Sequence, residues 1–230
     1  MEIKWLIQIE YKKMKLQRFG KQVAVANFAI IFLTLITKFL LSTPDNTSIT
    51  ALSTVSIIDT FVKSVFIVWQ AVLIANIIVD EFKSKTALLL FSYPIKRNHI
   101  LASKLLLTVV LTFGGMLITM VFVNMTMLAL NMVLPFIDYH ISINDIILLG
   151  ITTITSICMG MTPLFIGMLN KSTVTTVVSS IAIVSLTVGT GIGDGARMIN
   201  ILPVSFVLGV IGISLAYIAI KKISTDDTTF

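Results

Sequence analysis

The architecture turns on one stretch: Asp80-Glu81-Phe82-Lys83-Ser84-Lys85-Thr86-Ala87-Leu88-Leu89-Leu90-Phe91-Ser92-Tyr93-Pro94-Ile95-Lys96-Arg97-Asn98-His99-Ile100-Leu101-Ala102-Ser103-Lys104. It is charged at both ends, apolar in the middle, and lies between two long apolar blocks, Val55–Val79 and Leu105–Leu130. The segment Thr86–Phe91 suits a helix. Tyr93-Pro94 ends it, because the residue before a proline disfavours the helical backbone. Asn98 can then cap a new helix running into the next block. The stretch therefore reads as a short helix lying across a membrane face and fastened to a spanning helix at each end. Apolar side chains such as Leu88, Leu89 and Phe91 on such a helix need a partner or lipid to cover them.

The rest of the chain has the same character. Of its 230 residues, 56% are apolar and 12% charged, with a mean hydropathy of +1.00. Soluble domains run at about 45–50% and about 25%, so an ordinary water-soluble domain and a disordered chain are both excluded. A spanning helix needs about 20 mainly apolar residues. Six stretches fit: Gln22–Leu41, Val55–Val79, Leu105–Leu130, Ile146–Met168, Val174–Ile192 and Ile201–Ile220. In the fourth, Gly160-Met161-Thr162-Pro163 predicts a kink, since proline removes one helical hydrogen bond. The expected fold is all-α and polytopic. It comprises an N-terminal interfacial helix over 1–21, a six-span domain over 22–220 and a short tail over 221–230.

Orientation follows from the basic residues. All but three of the 17 Lys and Arg residues (Lys38, Lys63 and Arg197) fall on one side of this arrangement. Positive segments stay in the cytoplasm, so both termini and the 80–104 stretch are expected inside. The net charge of +6 is thus topological, and no nucleic-acid partner is expected. Residues 1–20 mix lysines with an apolar stripe of Ile3, Leu6, Ile7, Tyr11 and Met14, a pattern that lies on anionic lipid. The external connections, 42–54, 131–145 and 193–200, are short.

Two charges sit inside the second span. Asp59 and Lys63 stand at i and i+4 with the acid first, the favourable order. At the helical rise they lie about 31 Å and about 25 Å from Asp80, near the far interface. They read as a locally neutralised pair or as a gate at the outer mouth. Asn27, Asn76 and Asn124 are expected to hydrogen-bond within or between helices.

Catalytic and cofactor motifs are weak. No Gly-x-x-x-x-Gly-Lys-Ser/Thr occurs, so the chain has no phosphate cradle of its own. Gly191-Ile192-Gly193-Asp194-Gly195-Ala196 has dinucleotide-like spacing but lacks the strand that such a site needs. His99 and His140 are assigned to opposite faces, so no shared metal site is expected. The single cysteine, Cys158, reads as a small apolar side chain within a span.

Glu81, the basic stretch with Thr86, the Leu88-Leu89 pair, Pro94, Arg97 and Ile100-Leu101-Ala102-Ser103-Lys104-Leu105-Leu106 together resemble the pattern of ABC type 2 transporter permeases. Lys85 departs from it, standing where the family often has Gly before the Thr. The six-span layout and the N-terminal helix are similar too. The resemblance implies the membrane subunit of an ABC exporter, with ATP and magnesium bound by a separate ATPase subunit and no cofactor in this chain. It also implies a second permease copy, forming a homodimer or heterodimer. Glu81, Thr86, Leu88, Leu89, Phe91, Pro94, Arg97 and Lys104 would couple to the ATPase, with Asp59 and Lys63 at the outer gate. Among small relatives, the chain is most similar to Gram-positive permeases that move antimicrobial or amphipathic peptides, such as phenol-soluble-modulin exporters and lantibiotic or bacitracin immunity permeases. The alternative is an integral membrane immunity or assembly protein that binds hydrophobic peptides without ATP.

Overall fold

The computed structural model describes residues 16–41, 54–80, 97–133, 139–170, 172–189 and 198–225. Among these residues all regular structure is helical. The helices are α1 (Leu16–Leu41), α2 (Thr54–Ile74, continued by a π-helical turn over Ala75–Val79), α3 (Arg97–Asn131), α4 (Ile143–Met159), α5 (Thr162–Leu169), α6 (Thr173–Gly189) and α7 (Met198–Thr225). Four apolar helical segments among the described residues are long enough to cross a membrane: Phe19–Leu40, Thr54–Val79, Ile100–Asn131 and Ile143–Leu169. Two shorter apolar segments, Thr173–Thr187 and Ser205–Lys221, accompany them.

The helices tolerate many Ser and Thr residues because the hydroxyls bond back to their own backbone. Thr34 Oγ1 donates to Ile30 O at 2.7 Å, and Thr112 Oγ1 to Thr108 O at 2.6 Å. A hydroxyl satisfied in this way can sit in hydrocarbon without an unpaired polar atom. α1 continues the expected first span back to Leu16, so residues 16–21 of the expected interfacial helix form the start of α1. Residues 1–15 of that helix lie outside the described residues. α3 begins at Arg97, next to the expected cap at Asn98.

α2 is the central strut, packed against α1, α3, α4 and α6. Along most of its length Ile58, Val62 and Phe66 join Ile30 of α1 and Met116, Met120 and Val123 of α3 in one core. Trp69 extends that contact: its ring centroid is 5.0 Å from Phe19, and its Nε1 donates to Gln22 Oε1 at 3.4 Å. At the Asp80 end Ile74, Ile78 and Val79 form a second core with Leu101 and Leu105 of α3, Leu164 of α5 and Ala216 and Ala219 of α7. The outer face of α1, with Phe28, Phe32 and Phe39, is exposed.

The fourth apolar block is divided. α4 ends at Met159 and α5 begins at Thr162, at the kink expected from Pro163. α7 crosses this point closely. A Cβ placed on Gly212 would stand 2.1 Å from the backbone carbonyl oxygen of Cys158, whereas one on Gly209 would meet nothing nearer than 3.4 Å. Gly212→Ala is therefore expected to force the helices apart and cost about 1–3 kcal/mol. Gly209→Ala is expected to be nearly neutral. Thermal unfolding of the two purified variants in detergent checks the contrast.

Candidate functional site

The buried side of α2 carries Asp59, Lys63 and Gln70, spaced so that all three share one helical face. Asp59 is 3% exposed and Gln70 is fully buried. The expected i,i+4 pair forms: Lys63 Nζ bonds Asp59 Oδ2. Thr152 Oγ1 of α4 also approaches Asp59 Oδ1, at 3.2 Å. The carboxylate thus has partners on two helices, which a buried charge requires. A small cleft opens beside Lys63 where α2, α4, α6 and α7 meet. Thr60, Ser64, Ser156, Thr187 and Ser205 supply its hydroxyl oxygens, and its volume is about 20 Å³.

About two helical turns further along, Gln70 closes the break in the fourth block. In an unbroken helix Met161 N would donate to Ile157 O. Here Met161 N donates to Cys158 O at 3.2 Å, and Gln70 Nε2 donates to Ile157 O at 3.1 Å. Pro163 has no N–H to offer Met159 O, and Thr162 Oγ1 takes that role at 2.5 Å. Both carbonyls released by the break are satisfied by side chains, as an apolar surrounding demands. The fit is close, because a Cβ on Gly160 would stand 2.1 Å from Gln70 Oε1. Nothing in the residue pattern marks Gln70 strongly. Its signal is a lone amide in an apolar block, seven residues after Lys63.

A wider apolar groove of about 480 Å³ lies between α3 and α4, lined by Met120, Val121, Met125, Leu128 and Leu149. Tyr139 marks one end, its hydroxyl donating to Asn124 Oδ1 at 2.8 Å. Burial, with Asp145 nearby as a second cause, pushes the Tyr139 phenol above its usual range. It therefore remains a donor at neutral pH. Asn124 also bonds along its own helix, Nδ2 donating to Met120 O at 2.7 Å. Asn76 is exposed, and the buried Asn27 has an Oδ1 without a hydrogen-bond partner.

Of the residues expected to couple to an ATPase, Glu81, Thr86, Leu88, Leu89, Phe91 and Pro94 lie outside the described residues, as does the Gly191–Ala196 segment. The backbone of Arg97 opens α3. Lys104 is 2% exposed, one turn from Leu101 and beside Leu105 in the second core. Among the described residues no group of three or more His, Cys, Asp or Glu could hold a metal ion.

Comparison with known proteins completes the site. Residues 6–189 match the family described as ABC-2 family transporter protein. The chain is 31% identical to the uncharacterized protein YcbO of Bacillus subtilis strain 168, over 96% of this chain and 99% of that one. No solved structure matches.

The closure of the break yields a coupling prediction. Gln70→Ala strips Ile157 O of its donor, and Gly160→Ala drives a methyl group into the same amide. Each is expected to cost about 1–3 kcal/mol. Because both destroy one contact, the double variant should lose less than the sum, with a coupling of about 0.5–3 kcal/mol. A double-mutant cycle in thermal or denaturant unfolding measures this.

Proposed function

We propose that this chain, which belongs to the ABC-2 transporter family, is the permease subunit of an ATP-driven exporter of amphipathic or antimicrobial peptides, or of another hydrophobic cargo. Family membership makes it a membrane transport component, not itself a catalyst. In this reading six spans cross the cell membrane with both termini inside. Two permease copies line the path, and a separate ABC ATPase docks beneath them.

The observation that carries the reading is the second core. The helix ends that flank segment 81–96 are not loose. Ile74, Ile78 and Val79 at the end of α2 are buried with Leu101 and Leu105 at the start of α3, against α5 and α7. A cytoplasmic helix between these two ends would be a handle on a rigid root. Closure of ATPase subunits pushing that handle would tilt α2 and α3 together, because close-packed interiors transmit displacement instead of absorbing it. Glu81 and Arg97 would fix the handle by charge. Leu88, Leu89 and Phe91 would fill a groove on the ATPase, as an amphipathic helix does. The tilt would carry α2's polar face, and with it the Asp59–Lys63 pair at the outer mouth, from one accessibility to the other.

Leu89→Asp or Phe91→Asp places a charge in that groove. A buried anchor lost from an interface costs about 2 kcal/mol or more, roughly thirtyfold in affinity. Each variant is therefore expected to insert normally and to lose its ATPase on affinity purification from the membrane. The ATPase to assay is the ABC ATPase that copurifies with the native chain. Unchanged recovery with both variants contradicts the docking role.

A further inference from the structure

The cleft where α2, α4, α6 and α7 meet puts a cation among hydroxyls. Lys63 lines it together with Thr60, Ser64, Ser156 and Thr187, and Ile67 makes part of the wall apolar. Asp59 is not part of this wall. The hydroxyl protons are committed within their own helices: Thr60 Oγ1 donates to Ser56 O at 2.9 Å, Ser64 Oγ to Thr60 O at 2.7 Å, Ser156 Oγ to Thr152 O at 2.6 Å and Thr187 Oγ1 to Val184 O at 2.8 Å. Each oxygen still has a lone pair with which to accept. The Lys63 ammonium carries three N–H donors, and its contact with Asp59 Oδ2 does not exhaust them. The cleft thus combines a cationic donor with several neutral acceptors.

An occupant that satisfies this wall must accept from an ammonium and donate to hydroxyl oxygens. A monatomic cation cannot accept, and Lys63 repels it. A monatomic anion cannot donate, and it meets the hydroxyl lone pairs. A hydrocarbon tail does neither. Water does both. The cleft volume, about 20 Å³, exceeds the roughly 10–15 Å³ that one water requires. We infer that the cleft is a hydration site, in which one or two ordered waters bridge the Lys63 ammonium to the Thr60, Ser64, Ser156 and Thr187 oxygens. A buried ion pair is sustained only when its remaining protons and lone pairs are also satisfied. Thr152 serves Asp59 in this way, and the waters serve Lys63. Hydration also makes the pair separable, because an ammonium that leaves the carboxylate finds acceptors already beside it.

Methionines inside the bundle report the water. Met159 lines the cleft yet is 1% exposed, whereas Met116 and Met127 are fully buried in the first, apolar core. X-ray pulses split water where it stands into hydroxyl radicals, which oxidise the side chains around it. The chain in phosphatidylcholine nanodiscs is irradiated, and methionine sulfoxide is mapped by mass spectrometry. Met159 is expected to oxidise about tenfold or more faster than Met116 and Met127, since the sulfoxide forms where oxidant reaches the sulfur. Ser64→Val and Ser156→Val each replace an acceptor with methyl groups that occupy the cleft. Both are expected to slow Met159 to the rate of the other two. Thr126→Val removes an exposed hydroxyl of α3 and is expected to leave Met159 unchanged. Slow oxidation of Met116 and Met127 shows that a variant is folded, and one folded cleft variant suffices. Native Met159 oxidising no faster than Met116 and Met127 overturns the inference, as does fast oxidation of Met159 that survives in a folded Ser64→Val or Ser156→Val chain. The measurement needs no ATPase, so the ATPase-capture result stands on its own.

Discussion

A carbonyl in hydrocarbon has no water to turn to, and each one left unpaired costs several kcal/mol. This chain breaks its fourth apolar block between Met159 and Thr162 and so releases two of them. The bundle is arranged around their repair. Gln70 reaches across from α2 to Ile157 O, Thr162 bends back to Met159 O, and Gly212 lets α7 lie directly over Cys158. A bulkier residue at 212 would lift α7 away, and a side chain at 160 would expel the Gln70 amide.

The same α2 that supplies Gln70 also carries the Asp59–Lys63 pair and ends in the second core beside segment 81–96. One rigid helix therefore connects three features: the root of the proposed cytoplasmic handle, the clamp on a broken span, and a buried charge pair with a cleft beside it. Displacing α2 disturbs all three together. The π-helical turn at Ala75–Val79 lies between the clamp and the handle. Such turns are common at functional positions, and in this one Ile78 and Val79 are buried in the second core.

Much of this was legible in the residue order. Long apolar blocks separated by charged segments predict helices, and helices are found. Gly160 to Pro163 predicts a disturbed fourth span, and a break stands there. The acid-before-base spacing of Asp59 and Lys63 predicts a pair, and the pair forms. These are local features, decided within a turn or two of helix. What was not legible is tertiary. Gln70 reads as one more polar residue in a span until α4 is placed against it 87 residues away in sequence. The importance of Gly212 depends on which backbone crosses it. The cleft beside Lys63 draws its lining from four helices. The expected coupling residues from Glu81 to Pro94 fall outside the described residues, so their role rests on the family pattern and on the packing of the helix ends beside them.

The central claim is that segment 81–96 is a handle on the cytoplasmic face, rooted in the α2–α3 core. Its sidedness is measured by replacing Ser84 with cysteine in a Cys158→Ser background and treating intact cells with a membrane-impermeant maleimide. The account predicts no labelling until the membrane is permeabilised, then full reaction. Labelling of intact cells would put the segment outside, beyond the reach of any ATPase, and would contradict the account.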